Sequence, residues 1–254
     1  RPWFVVVPPT GRPIAVVPGI GEETMGETWV EDIRTWPAPR PDDDGITLLS
    51  QTLVEVAGRM GRIGLPMGHE THLRMPLSDY DALRRSLDGA AFVDATSIVR
   101  DLRMTKSELE IAKMRHICEI VSCAFEGIPD LLAVGMTERE AFAAFKVDLL
   151  RRGADDVPYL VGATGPGFSN VIKQPDDRVI ERGDLLMFDT GSVFDGYSSD
   201  FDRYYAFDEA DEAARRAYET VWERSGEQLT GPRPSSITRN LCRPITQAPL
   251  QRRP

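Results

Sequence analysis

The stretch that most constrains the fold is Gly183-Asp-Leu-Leu-Met-Phe-Asp-Thr-Gly191 with its continuation Asp195-Gly-Tyr-Ser-Ser-Asp-Phe-Asp-Arg203. Leu185 to Phe188 is a short apolar run between glycines, the pattern of a mostly buried strand. Asp195-Gly196 is a strong turn dipeptide, so the chain is expected to double back there as a hairpin. Folding about that turn is expected to bring Asp189 opposite Asp200, give or take one residue of register. Side chains alternate along a strand, which puts Asp200 and Asp202 on one face. Three carboxylates then meet at the end of an apolar hairpin, where repulsion and desolvation are costly without a cation. Hard oxygen donors in such a cluster suit a divalent metal, or two metals bridged by a carboxylate. Short D-x-D runs also occur in solvated turns, and Asp195 is read as a turn residue of that kind.

With 254 residues and 41% hydrophobic content, the chain can support two domains with their own cores. A net charge of -10 argues against nucleic acid and anionic membranes as partners, since both require basic surface. No run approaches the ~20 apolar residues of a membrane span, and no signal peptide opens the chain. The first residues, Arg-Pro-Trp, lead without Met into strand-like Trp3–Val7, so a native N-terminal segment is expected to be missing. Cys118 and Cys123 fall on helix faces about 140° apart and Cys242 is remote, which is neither a metal spacing nor a disulfide framework. Buried thiols in a cytoplasmic protein are expected.

Residues 1–100 read as a separate α/β domain. Trp3–Val7 and Ile14–Val17 are strand-like, Leu48–Met60 has helical spacing, Ile63-Gly-Leu is a short strand, Ser78–Leu87 a capped helix, and Phe92-Val-Asp-Ala a closing strand. His69-Glu-Thr-His72 has a spacing that fits no established helical His pair, and it is expected to be a surface loop. Residues 101–230 form a second domain, with Asp101–Thr105 as the link into it. Thr105-Lys-Ser-Glu108 and Thr137-Glu-Arg-Glu140 read as capping boxes of two amphipathic helices. His116, on the first of these, is read as a surface or satisfied helical residue. Tyr159-Leu-Val-Gly is a strand, and residues from Asp208 to about Leu229 are helical. Residues 231–254 contain five Pro, five Arg and no Asp or Glu, and are expected to be a disordered tail or a departure of the reading frame.

The string R-G-D-L-L-M-F-D-T-G, the eleven positions from Asp189 to Asp200, and the ending Asp-Phe-Asp-Arg resemble the pita-bread metallopeptidase family, which includes methionine aminopeptidases, Xaa-Pro peptidases and creatinase. The resemblance implies a creatinase-type N-terminal α/β domain followed by the first half of a pita-bread catalytic domain. It implies Asp189 and Asp200 as ligands of two divalent ions (Mn²⁺, Co²⁺ or Zn²⁺) that activate water against an amide bond, and a homodimer. The N-terminal domain points away from methionine aminopeptidases.

Two departures from the family pattern bear on chemistry. Peptidases of the family carry a His about seventeen residues before the first aspartate, a position near Ile172 here, leaving Asn170 and Lys173 as candidate substrate-binding neighbours. Asp202 stands where most members have Thr, and could be a supporting partner or an extra ligand, or be paired with Arg203. The family's later His and two Glu have no counterpart, because His69, His72 and His116 all precede Asp189. The chain is therefore expected to bind metal weakly or not at all and to have little or no activity. The resemblance implies an Xaa-Pro-peptidase-like hydrolase acting on a peptide or small amide. The alternatives are a small-molecule C–N hydrolase resembling creatinase or ectoine hydrolase, and a non-catalytic dimerisation or binding module.

Overall fold

The computed structural model of the chain describes residues 1–228 except 168, 169 and 171, with the side chains of 222–228 outside the description. The expected tail at 231–254 and Cys242 lie outside the described residues. The chain divides into two compact units, Arg1–Thr105 and Lys106 onward.

The first unit alternates strands and helices: β1 (Phe4–Val6), β2 (Ile14–Pro18), α1 (Glu22–Gly26), β3 (Asp32–Trp36), α2 (Ile46–Ala57), β4 (Arg62–Leu65), α3 (Leu77–Ser86), β5 (Ala91–Asp94) and α4 (Thr96–Met104). β2 pairs antiparallel with β1 and parallel with β3, while β4 and β5 form a parallel pair. β2 is the sheet's centre, and Ala15, Val16 and Val17 are fully buried, as a strand covered on both faces requires. Trp36, Leu49, Leu53, Ile63 and Leu83 form the core between this sheet and its helices. The layered α/β reading therefore holds.

Several local expectations shift. α2 begins at Ile46 after Gly45 (φ 86°) and ends at Gly58 (φ 73°), two positive-φ glycines that bracket the helix more tightly than the apolar spacing alone. α3 starts at Leu77 behind Pro76 with no side-chain cap, because the extended conformation fixed by proline suffices to start it. Asp101–Thr105 is not an extended link: it is the last turn of α4, closed by Thr105 in extended conformation, where the first unit ends. His69–His72 lie in the irregular segment between β4 and α3, where the Thr71 hydroxyl donates to the Gly68 carbonyl and Arg100 to the His69 carbonyl.

The second unit contains α5 (Glu108–Glu126), α6 (Ile128–Leu131), α7 (Glu138–Arg151), β6 (Asp156–Gly165), β7 (Leu185–Phe194), β8 (Tyr197–Ser198), β9 (Phe201–Ala206) and α8 (Glu212–Gln228). The capping box of α5 is Ser107/Glu110, two residues beyond the expected pair, because Thr105 already serves as the end of α4. That of α7 is Thr137/Glu140, as the sequence indicates. β7 is the central strand, antiparallel to β6 on one side and to β8 and β9 on the other. One face of this sheet, with Leu186, Phe188 and Tyr205, is sealed against α5 and α7 by Phe125, Phe142 and Phe145. The Phe188 ring stacks on Phe145 at 4.8 Å and meets Phe142 edge-on at 4.8 Å. Cys118 is half-buried but Cys123 is exposed, so the expectation of buried thiols fails for Cys123, which lies on the outer face of α5. His116 meets the Phe194 ring edge-on at 4.5 Å. Among the described residues, no helix is long and apolar enough to cross a membrane.

Candidate metal centre

The hairpin forms as the sequence indicates, but its register differs from the expected one. Asp195 (φ 46°) and Gly196 (φ 79°) are both left-handed, the two-residue turn that matches strand twist. Phe194 then pairs with Tyr197, and counting back along the ladder sets Asp189 opposite Asp202, not Asp200. Asp200 falls in the gap between β8 and β9. The turn is anchored on α5, where Lys113 pairs with Asp195 at 2.5 Å and the Tyr197 hydroxyl donates to Glu110 at 2.9 Å.

Alternation from this register puts Leu185, Met187 and Asp189 of β7 with Asp202, Tyr204 and Ala206 of β9 on the face opposite the helices. Leu186, Phe188 and Tyr205 take the helix side. Arg203 points to the helix side too. Its guanidinium lies 5.1 Å from the Phe201 ring centre and 5.8 Å from that of Phe125, and donates to the Asp202 backbone carbonyl. The proposed Asp202–Arg203 side-chain pair is thus not formed, because adjacent strand residues face opposite ways.

Electrostatics on the open face are dominated by desolvation and like charges, which the Arg203 charge offsets only in part at Asp202. Desolvation, then the Asp202 and Asp200 charges, push the Asp189 carboxyl above its ordinary value. Desolvation against the sheet, then Asp200, push Asp202 up as well, although that residue remains open to solvent. Desolvation, followed by the Asp202 and Asp189 charges, raises the Tyr204 phenol. Tyr159, on β6 opposite Gly191, donates its hydroxyl to Asp200 Oδ1 at 2.6 Å. Its own ionisation is pushed up by desolvation and by that hydrogen bond. Beyond Tyr204, the face continues as an apolar groove of about 390 Å³ between β9 and α8, lined by Leu185, Tyr205, Ala206, Ala214 and Tyr218.

Asn170 and Lys173 precede β7 in the segment leading to it. The Lys173 ammonium sits 2.8 Å from Glu138 Oε2 and 3.3 Å from Asp176. Asn170 accepts from the Ile172 amide at 3.1 Å, and Ile172 itself is exposed. Glu138 is fully buried and accepts from the Thr164 amide and hydroxyl and the Asp176 amide at 2.8–3.0 Å.

Sequence reasoning passed over Tyr159 and Glu138. The signal for Tyr159 was Gly191, read as a strand boundary although it lies inside β7. An interior strand glycine often marks close approach of another group.

The donor chemistry of Asp189, Asp200 and Asp202 fits a hard divalent cation, since all three offer carboxylate oxygens. The number of donors does not complete a coordination shell: among the described residues, no group of three or more His, Cys, Asp or Glu side chains is placed to hold a metal ion.

The chain thus joins an α/β first unit to a second unit whose helix-backed antiparallel sheet carries paired aspartates on its open face. Residues 112–237 match the profile of metallopeptidase family M24, and residues 1–105 that of the creatinase/prolidase N-terminal domain. The chain belongs to this pita-bread metallopeptidase family, a family of hydrolases. An Xaa-Pro dipeptidase of Pyrococcus horikoshii is 27% identical over 177 residues, which cover 66% of this chain and 48% of that protein. Among solved structures, a prolidase from Thermococcus sibiricus superposes with TM-score 0.77 at 23% identity, covering 89% of this chain and 60% of that one. An X-Pro aminopeptidase from Thermotoga maritima does so with TM-score 0.70 at 23% identity, over 85% and 57%. At that identity the two structures support the fold alone. The chain spans about half the length of the curated relatives it matches.

Proposed function

We propose that the chain carries the aspartate half of an Xaa-Pro-peptidase-like metal centre, with Asp189 and Asp200 as ligands and Asp202 as a further carboxylate beside them. The observation that supports this is the carboxylate face itself, where Asp189 and Asp202 pair directly across two strands and both carboxyls are held above their ordinary pKa, with the Arg203 charge offsetting only part of the rise at Asp202. A divalent metal, when bound, would lower the pKa of water and polarise an amide carbonyl. The chain's own residues supply the hard oxygen donors, strands that hold Asp189 and Asp202 in register and, beside them, an apolar groove.

Asn170 is the substrate-binding candidate that remains, since Lys173 is engaged by Glu138 and Asp176. Two or three carboxylates hold a cation weakly, so the isolated chain has little or no hydrolytic activity. The alternative to a peptide substrate is a small amide, which Ile172 supports because it cannot donate a proton where the family's peptidases have His. A cytoplasmic homodimer belongs to the same reading.

The test is Mn²⁺ binding, followed by electron paramagnetic resonance of the free ion, to the purified chain and to an Asp189→Ala/Asp200→Ala variant. Weak binding that disappears in the variant is expected. Equal uptake by both would remove the aspartates from the centre. Hydrolysis of an Xaa-Pro dipeptide by this chain would overturn the expectation of inactivity.

A further inference from the structure

Asp200 is the one of the three aspartates whose backbone lies outside the strand ladder. It is exposed, it follows β8 and precedes β9, and the ladder of β7 with β9 begins only at the Thr190–Phe201 pair. The next position along that register is Gly191 opposite Asp200. Across the other edge of β7, the same Gly191 pairs with Tyr159. Tyr159 and Asp200 thus flank one glycine from two neighbouring strands.

Gly191 is not there for its backbone freedom, because it is not among the positive-φ glycines. Space explains it: a Cβ on Gly191 would lie 2.3 Å from Tyr159 Cε1 and 2.8 Å from Cζ. The ring crosses β7 through the volume a side chain would fill, and its hydroxyl reaches Asp200 Oδ1 at 2.6 Å. A hydroxyl bound to a carboxylate at this length is charge-assisted and directional. It occupies one oxygen and leaves Oδ2 open on the same face as Asp189 and Asp202. Among the described residues, Tyr159 is the hydrogen-bond partner of the Asp200 side chain.

We propose that Tyr159 is a positioning residue that orients the Asp200 carboxylate toward a divalent cation, and that Gly191 is the opening through which it does so. The proposal rests on the reading of Asp200 as a metal ligand. Tyr159 does not itself hold the ion. It removes the rotational freedom of a carboxylate that lies outside the strand ladder.

The experiment measures two quantities for each protein: Mn²⁺ affinity, from the resonance of the free ion up to millimolar concentration, and the melting temperature without metal. Tyr159→Phe keeps the ring and deletes the hydroxyl, and is expected to weaken Mn²⁺ binding about tenfold with the metal-free melting temperature unchanged. Gly191→Ala keeps the hydroxyl and displaces the ring, and is expected to weaken binding to a similar degree. The double variant is expected to be no weaker than Tyr159→Phe alone, because both changes remove one contact.

Tyr159→Phe binding Mn²⁺ as the wild type does, while Asp200→Ala loses it, overturns the positioning role and leaves the metal reading intact. A fall in melting temperature without loss of affinity assigns Tyr159 to folding and overturns the role as well. Asp200→Ala binding as the wild type does overturns the metal reading, and the proposal with it. Should Gly191→Ala fail to fold, Tyr159→Phe decides.

Discussion

The two faces of one four-stranded sheet treat carboxylates in opposite ways. On the helix side, Glu138 at the start of α7 is fully buried, yet Thr164, Asp176 and Lys173 satisfy its oxygens. On the open side, Asp189 is less buried and has the charges of Asp202 and Asp200 as neighbours, with no donor to balance them. Burial alone therefore does not mark a functional carboxylate. The difference lies in whether the fold supplies the compensating charge itself or leaves it to something bound.

The largest effects are expected where compensation is complete. Glu138→Ala would leave the Thr164 amide and hydroxyl and the Asp176 amide without their acceptor and Lys173 with Asp176 alone. Orphaning buried donors costs about 1–3 kcal/mol each, about 3–5 kcal/mol together. Phe188→Ala, which empties the space between Phe142 and Phe145, is expected to cost a similar ~3–5 kcal/mol. Urea denaturation of the metal-free chain measures both. A loss below 1 kcal/mol for Glu138→Ala would erase the contrast, because the helix-side carboxylate would then be no better integrated than the open ones.

That contrast was only partly legible in the sequence. The apolar run Leu185–Phe188 and the Asp195-Gly196 turn were enough to indicate a hairpin with a carboxylate-bearing end. The pairing of Asp189 with Asp202 required counting from a two-residue turn, because each added loop residue shifts every partner. Arg203 looked like a partner for Asp202 in sequence, but strand alternation sends its guanidinium to the aromatic side. Glu138 looked like an ordinary first-turn glutamate of α7. Its burial depends on the segment around Lys173–Arg178 returning to that helix end, a long-range contact that no local pattern encodes. The Tyr159–Asp200 bond likewise joins residues 41 positions apart.

A moderate effect is expected from supplying the missing charge. A ligand that binds only the folded state stabilises it by RT ln(1 + [L]/Kd), about 1.4 kcal/mol at ten times Kd. Mn²⁺ should therefore raise the melting temperature of the wild type and leave that of Asp189→Ala/Asp200→Ala unchanged. Differential scanning calorimetry across a Mn²⁺ series distinguishes this from a general salt effect, which would shift both proteins together.

The smallest effect concerns the open face without metal, and its sign is the informative part. Desolvation and mutual repulsion hold Asp189 and Asp202 above the ordinary aspartate value of about 3.9. A carboxyl raised in the folded state binds its proton more tightly there than in the unfolded chain. Its stabilising contribution is therefore present below the unfolded value and is lost as pH rises through the folded one. Asp202→Asn removes a charge that Asp189 faces directly across the strand pair. At neutral pH the variant should be more stable than the metal-free wild type, by less than about 1 kcal/mol because the site is open to solvent. The advantage should shrink as pH falls and the wild-type carboxyls protonate. Melting curves of the two proteins at matched pH provide the measurement, and their difference cancels the other carboxylates of the chain. A variant less stable than the wild type at neutral pH would mean that Asp202 is compensated within the fold, and the two faces of the sheet would then handle charge alike.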